Sequence, residues 1–437
     1  MHKPKIYTGW KRGALRMGFF LSFGKYVFRR HAYPLFRLRA SQHGVLEMFR
    51  LERDLQLNKT VLFNGRIFTS LTVPGYPSKA FEHMVANGGF NFTASGTALK
   101  PRSDNVILAI TNSCNYRCAH CYEKHNINAW GTAWQEPIPI ERWKSVIADI
   151  QGNGVSVVIL SGGEPMLRFD GMLELLKSGD TDLSDFHLHT SGYGVTRERA
   201  EMLKEAGLTA AAVGLDDVSP ERSDRLRGCA GAFDQAVNAL RFFNEAGIMT
   251  YTNTCVTKEL ASSGDLWRLF AMAKDLNVSF IQLLEPRPFG GYNSQPMEQL
   301  WTEQERKILT DFYLQGNNDP RYSDYPILYY VTYIEHADRM GCMMGGLSHF
   351  AIDSAGNVNP CVFVPVSFGN ISEENFATIF ARMRSATPHP LHAGCGSVCM
   401  SDAIHAAEQR TGVMPVRYED VQEEWDWAFK NNSKFGT

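Results

Sequence analysis

Three cysteines, Cys114, Cys118 and Cys121, stand in the stretch CNYRCAHC at spacings of four and three residues. Thiolates are soft ligands that select zinc or iron–sulfur clusters. Four of them complete a tetrahedral zinc or an iron–sulfur cube, whereas three leave one coordination position open. An open position on a metal is where a further molecule binds and reacts. On spacing alone zinc stays an alternative, with His120 or His125 as a fourth ligand.

A second motif, SGGEP (161–165), combines Gly162 and Gly163, which let backbone approach a ligand, with Glu164, an acceptor for a cationic amine. Pro165 stiffens its exit. A third set lies far downstream. Cys342 is followed by thirteen residues, Gly356, four residues and Cys361, and then by Cys395 and Cys399 in CGSVC. Four thiols can hold their own iron–sulfur cluster or a structural zinc. Cys229 and Cys255 read as small buried hydrophobes. Glu285 and Arg287, in LLEPRPFGG, read either as substrate contacts or as a structural ion pair.

The cysteine spacing and SGGEP together resemble the radical S-adenosylmethionine (radical SAM) superfamily, whose signature is CxxxCxΦC with Φ usually aromatic. His120 stands at Φ here. The resemblance implies that Cys114, Cys118 and Cys121 hold a [4Fe–4S] cluster whose uncapped iron takes the amino and carboxylate groups of SAM. Reductive cleavage then gives a 5′-deoxyadenosyl radical that abstracts hydrogen from substrate, with a flavodoxin or ferredoxin as electron donor. By the same resemblance Gly162, Gly163 and Glu164 meet the methionine amino group, and Thr190 and Ser191 of TSG contact SAM. Asp216 of VGLDD approaches the ribose, with Gly214 where relatives often have serine. Arg227 in SDRLRGCAGAF meets the SAM carboxylate, with Arg225 as the lesser choice. The tail, with GNVNPC, resembles the SPASM and twitch extensions of this superfamily. Four tail cysteines rather than about seven imply one auxiliary [4Fe–4S] cluster, on Cys342, Cys361, Cys395 and Cys399, in a shortened, twitch-like domain.

Elements that could position these residues follow from periodicity. Short apolar strands are expected at 105–114, 155–164, 186–193, 210–217, 249–257 and 278–286, separated by amphipathic helical stretches such as 140–154 and 232–247. Such alternation predicts an α/β fold with a parallel sheet, here a partial (β/α)6 TIM-like barrel. All the polar punctuation falls at the C-terminal ends of the strands, the rim where barrel enzymes assemble their sites. Residues 1–100 read as a basic N-terminal layer with a hairpin at 59–73, turned by Asn64-Gly65, and a linker at 93–104. The core spans 105–290, and 291–437 form a linker helix and the small C-terminal iron–sulfur domain.

The 437 residues, 44% apolar and 21% charged, suit two or three globular domains. No run approaches the roughly eighteen apolar residues of a membrane span. MGFFLSFG (17–24) lacks a cleavage site after it, so the chain reads as unexported and cytoplasmic. Net charge is −2, yet residues 1–46 hold ten Lys and Arg and no acid, interleaved with aromatics. That stretch suits an anionic membrane surface, with peripheral attachment to the inner face and a lipid-like substrate, or else a solvated face. No nucleic-acid partner is expected. The rival readings are a maturase of ribosomally made peptides, whose recognition fold could include the hairpin, and a metal-bearing scaffold or electron carrier without SAM chemistry.

Overall fold

The N-terminal hairpin forms as its turn residues dictate. Strands β1 (Lys5–Tyr7), β2 (Thr60–Phe63) and β3 (Arg66–Phe68) make an antiparallel sheet in that order. Asn64 and Gly65, at φ 47° and 78°, supply the two left-handed residues of a tight hairpin turn. The computed structural model describes residues 2–17, 53–87, 103–127, 138–293 and 295–432. Residues 18–46 of the basic stretch and 93–102 of the expected linker lie outside the described residues. No helix among the described residues is long and apolar enough to cross a membrane.

The six expected strands are present: β4 (Asn105–Ala109), β5 (Val157–Ser161), β6 (Asp185–Thr190), β7 (Leu208–Gly214), β8 (Met249–Cys255) and β9 (Phe280–Leu284). They pair in parallel in sequence order. The intervening helices bury one apolar stripe each, as Ile140–Gly152 does with Trp143, Val146, Ile147 and Ile150. The helix Glu303–Asn318 starts at a capping box of Thr302 and Glu305.

The sheet is wider than the six-fold alternation suggests. Segments after residue 290 add β10 (Ile327–Tyr330), parallel to β9, and β11 (His349–Ile352), parallel to β4. A short antiparallel strand, β12 (Val358–Asn359), follows on β11. The order is therefore β10-β9-β8-β7-β6-β5-β4-β11-β12. Two short strands, β13 (Val366–Ser367) and β14 (Val416–Arg417), pair in the tail.

The N-terminal layer lies under this barrel, at the starts of its strands. Asn64 donates to Gly247 O (2.9 Å), two residues before β8. The buried Lys59 ammonium donates to Tyr325 O and Pro326 O (3.1 and 3.2 Å), directly before β10. Arg66 pairs with Asp185, the first residue of β6, at 2.5 Å, and the Gly75 N–H donates to the same carboxylate oxygen (3.2 Å). Leu71 and Thr72 of this layer reach the barrel cavity. The layer is a plug.

Asp185 is thus the strut joining plug to barrel. Removing one partner of a largely buried pair costs roughly 3–5 kcal/mol when the other charge stays buried, and less here because Arg66 is only partly so. Asp185→Ala should lower the apparent melting temperature by several degrees and expose the N-terminal layer to limited proteolysis before the barrel.

Candidate active site

The loop that follows β4 carries Cys114, Cys118 and Cys121 and has little internal hydrogen bonding. Its backbone is clamped instead by segments that follow three other strands, β5, β7 and β9. From the β5 exit, the Gly163 and Glu164 N–H groups donate to Thr111 O and Ser113 O (2.9 and 2.6 Å). From beyond β7, the end of helix Pro220–Arg227 accepts from Arg117 N and Ala119 N, at Arg227 O and Leu226 O (3.1 and 2.9 Å). From beyond β9, Gly291 N donates to Cys121 O (2.7 Å). A Cβ on Gly163 would lie 2.2 Å from Ser113 O, and one on Gly291 would lie 2.0 Å from Ala119 O. Both distances are below any tolerable contact, so backbone meets backbone there because no side chain intervenes.

One cavity of about 320 Å³ runs from this rim into the barrel. All three cysteines line it, as do Gly162, Gly163, Thr190, Ser191, Asp216 and Arg227. Arg227 and Asp216 form an ion pair (2.6 Å). Asp216 also accepts from Cys255 N (2.8 Å) and lies 3.7 Å from His120 Nε2. Burial alone would raise Asp216, but Arg227 and His120 hold it below the usual carboxylate range. The Arg227 guanidinium occupies the space a side chain at residue 214 would need: a Cβ on Gly214 would come within 2.2 Å of it. Glycine in place of serine at that position thus makes room for the arginine. Arg225 is on the outside, paired with Glu259. His125 is exposed and does not line the cavity.

Glu164 sits behind the wall rather than on it. Its side chain is wholly buried, and both carboxylate oxygens are engaged: Met166 N (3.1 Å) and the Thr190 hydroxyl (2.7 Å) donate to one, Ser191 N (2.8 Å) and the Ser191 hydroxyl to the other. Burial pushes this carboxyl up, and those four donors oppose the shift. Glu164 therefore ties the exits of β5 and β6 together.

The tail brings Cys342, Cys361 and Cys395 to the same cavity, while Cys399 is exposed one helical turn from Cys395. Cys342 is held by a two-way backbone bridge to Leu391 (2.9 and 3.1 Å), and Cys361 by a turn to Val364 (3.0 Å). Tyr122, next to Cys121, meets Phe363 edge-on at 5.9 Å, which joins the two cysteine regions. Glu285 and Arg287 form the ion pair that was one of the two sequence readings, at 2.9 Å, and both line the cavity. Arg306 and the Tyr330 hydroxyl also reach Glu285.

Burial pushes the thiols of Cys114 and Cys361 up to about 12, a cost that a bound iron cation removes. Among the described residues no three His, Cys, Asp or Glu side chains close on a single ion's position. Six cysteines, Cys342 buried and the others half-buried, line this one cavity, a donor set that suits iron–sulfur groups. Sequence reasoning missed the inward-facing polar residues of the strands: His189, Tyr251, Asn253, Gln282, Tyr329 and His349. The signal on β6 was period-two alternation with polar residues inside, as in FHLHT (186–190); TYTNTC (250–255) gives no such signal, since its outward residues are threonines.

Comparison with known proteins agrees with the geometry. Residues 108–260 match the radical SAM superfamily, and residues 342–399 match the SPASM iron–sulfur cluster-binding domain, a range that begins and ends on tail cysteines. An AdoMet-dependent heme synthase of Oleidesulfovibrio alaskensis is 25% identical over 74% of this chain and 87% of its own. The PqqA peptide cyclase of Rhizobium meliloti is 24% identical over 63% and 72%. Among solved structures, anSMEcpe with bound AdoMet has a TM-score of 0.52 at 17% identity, covering 75% of this chain and 97% of that one. Streptococcus suis SuiB bound to S-adenosylmethionine has a TM-score of 0.51 at 16% identity, covering 70% and 75%. These structures share the fold.

The clamp makes a sharp prediction. Gly163→Ala and Gly291→Ala should each displace the cysteine loop and sharply reduce the iron retained after reconstitution. Gly152→Ala, with open space around its Cβ position, should leave it intact. Iron content per chain and the visible absorbance of the reconstituted protein decide the matter.

Proposed function

From a radical SAM enzyme with a SPASM domain, its cofactors [4Fe–4S] clusters and SAM, we propose a catalyst that oxidises a peptide substrate. Cys114, Cys118 and Cys121 would hold the SAM-binding cluster, and Cys342, Cys361, Cys395 and Cys399 one auxiliary cluster. When bound, the first cluster and SAM would supply a 5′-deoxyadenosyl radical that takes one hydrogen atom from substrate, and the auxiliary cluster would accept the second electron as a proton leaves to solvent.

The chain's own residues shape what that radical meets. The Gly162-Gly163 backbone, Thr190 and Ser191 form the wall against which SAM would lie, with Asp216 and Arg227 opposite. Glu164 acts through Thr190 and Ser191, whose positions it fixes; an amine could reach it only by displacing one of its four donors. The rim's buried aromatic and glycine contacts keep water from the reacting atoms. A flavodoxin- or ferredoxin-type protein would supply the electron.

The observation that carries the peptide reading is the charge balance of the cavity. Its two guanidiniums, Arg227 and Arg287, are each paired with a buried carboxylate, Asp216 and Glu285. A substrate rich in carboxylates meets no unpaired cation among the described lining residues, whereas a neutral amide-bearing chain meets carboxamides and hydroxyls. A tetrapyrrole is the second reading, favoured by relatives named heme synthases and by an Fe-coproporphyrin III synthase of Methanosarcina barkeri, 26% identical over 64% of this chain. A lipid-like substrate rested on the basic stretch, most of which lies outside the described residues, and the similar proteins lend it no support. Peptide takes its place.

Two experiments test this. Replacing Cys114, Cys118 and Cys121 together by Ala should remove about four irons, abolish 5′-deoxyadenosine formation and leave about four irons on the tail cysteines. SAM cleavage surviving in that variant would sink the assignment. For the substrate, the reconstituted enzyme with SAM and dithionite should convert members of a random peptide library to products lighter by about 2 Da, and iron coproporphyrin III should leave its Soret band unshifted. A Soret shift saturating at micromolar porphyrin, with no peptide oxidised, would put the tetrapyrrole first.

A further inference from the structure

The inner face of the barrel is built differently from its outer face. Strand positions directed at the helices are fully buried; they are apolar at Val106, Leu108, Val158, Leu160, Phe186, Leu188, Ile281 and Leu283, and threonines on β8. The alternate positions, which in most barrels carry branched aliphatic residues in layers, here carry His189, Tyr251, Asn253 and Gln282 beside the small alanines of β7. This polar layer lies below the cysteine rim and above the plug residues Leu71 and Thr72.

Asn253 and Gln282 are direct register partners on β8 and β9, so their carboxamides stand side by side. One end of the Asn253 carboxamide faces His189 Nδ1 at 3.4 Å, and its other end is buried with no hydrogen-bond partner. Gln282, half-buried on the cavity wall, makes no side-chain hydrogen bond among the described residues. His189 Nε2 and His187 Nδ1 meet the Tyr251 hydroxyl at 2.9 and 3.3 Å, which fixes that side of the layer. Burial holds both imidazoles neutral, pushing them down to about 3. A buried carboxamide oxygen without a partner weakens a fold, and with a second, unengaged carboxamide beside it facing a cavity the pair is a site for complementary donors and acceptors.

We propose that Asn253 and Gln282, with His189 and Tyr251 beside them, form a subsite that binds an uncharged carboxamide or peptide group of the substrate. Each protein carboxamide offers both a donor and an acceptor, the complement of an amide's own N–H and C=O. An anionic group has no free cation in this layer, because Arg66 is committed to Asp185 beneath it and Arg227 to Asp216 above it. Among the described lining residues the carboxylates not paired with an arginine are Glu335, shared with His349 (3.6 Å), and Glu123, which accepts from Asn126 (3.0 Å). The subsite selects for neutrality and hydrogen bonding. It extends the peptide reading, on which it depends only for the identity of the molecule that carries the amide.

Three small probes differing in one group test it directly: propionamide, propionate and propylammonium, each titrated into the reconstituted holoenzyme with SAM and followed by ligand-observed NMR. Propionamide should bind at least about tenfold more tightly than either ion, the ratio expected for one or two hydrogen bonds without a counter-ion. Asn253→Leu and Gln282→Leu should each weaken propionamide about tenfold. Gln282→Glu, which keeps the shape, should weaken propionamide and admit propylammonium, with iron content confirming that each variant is folded. Equal binding of the three probes, tighter propionate, no binding at all, or propionamide affinity untouched in every folded variant would each overturn the proposal. Porphyrin binding together with an intact propionamide preference would reject the peptide reading and leave the subsite standing.

Discussion

The rim depends on a clamp of backbone on backbone. The cysteine loop cannot hold its own shape, since residues 114–121 make few hydrogen bonds among themselves and direct their donors and acceptors outward. Their partners sit on segments that follow β5, β7 and β9, so the thiol positions are set by how those strands are spaced round the barrel. Neighbouring strands lie about 4.8 Å apart, and nothing between the loop and its clamps can absorb an added methyl group. Gly163 and Gly291 are required for that reason and not for flexibility. The cysteines are therefore as rigid as the sheet.

Two buried carboxylates extend the same logic to charge. Asp216 gathers Arg227, His120 and the Cys255 N–H, linking the exits of β7 and β8 to the cysteine loop. Glu285 gathers Arg287, Arg306 and the Tyr330 hydroxyl, linking β9 to β10 and to the helix that precedes it. A buried ion pair adds little net stability over an apolar contact of equal size, but it is strongly disfavoured when one partner leaves. Such pairs fix geometry. Here they also determine which substrates are welcome, because they use up the cations that a carboxylate would need.

Features carried by a few neighbouring residues were legible in the sequence. The CNYRCAHC spacing, the SGGEP turn, the Asn64-Gly65 hairpin and six strands each declare themselves within about ten residues, because local spacing is their physical basis. What escaped notice depends on distant partners. β11 joins β4 across some 240 residues of chain, and no local pattern in HFAI announces that neighbour. Gly290 and Gly291 read as a loop until the cysteine backbone is seen against them. Glu164 looked like a free acceptor because its four donors come partly from the next strand. The plug was visible as a separate layer, but its place under the barrel follows from single contacts such as Arg66 to Asp185.

The inward polar alternation shows how one strand can serve stability and chemistry together. A parallel strand with both faces buried is expected to read as a continuous apolar run. Here FHLHT and TYTNTC break that run, placing His187, His189, Tyr251 and Asn253 on the inward face while the outward positions, threonines on β8, stay fully buried. A hollow runs between the cysteine rim and the N-terminal layer, and a hollow barrel needs its lower mouth closed. The N-terminal layer closes it with Leu71 and Thr72, next to Tyr329. The two faces are also coupled by register, since a slip of one residue would send Asn253 and Gln282 into the helices and their outward neighbours into the cavity. Selection for the packed face thus fixes the chemical face at no further cost. The same period of two that stabilises the sheet aims its carboxamides at the substrate.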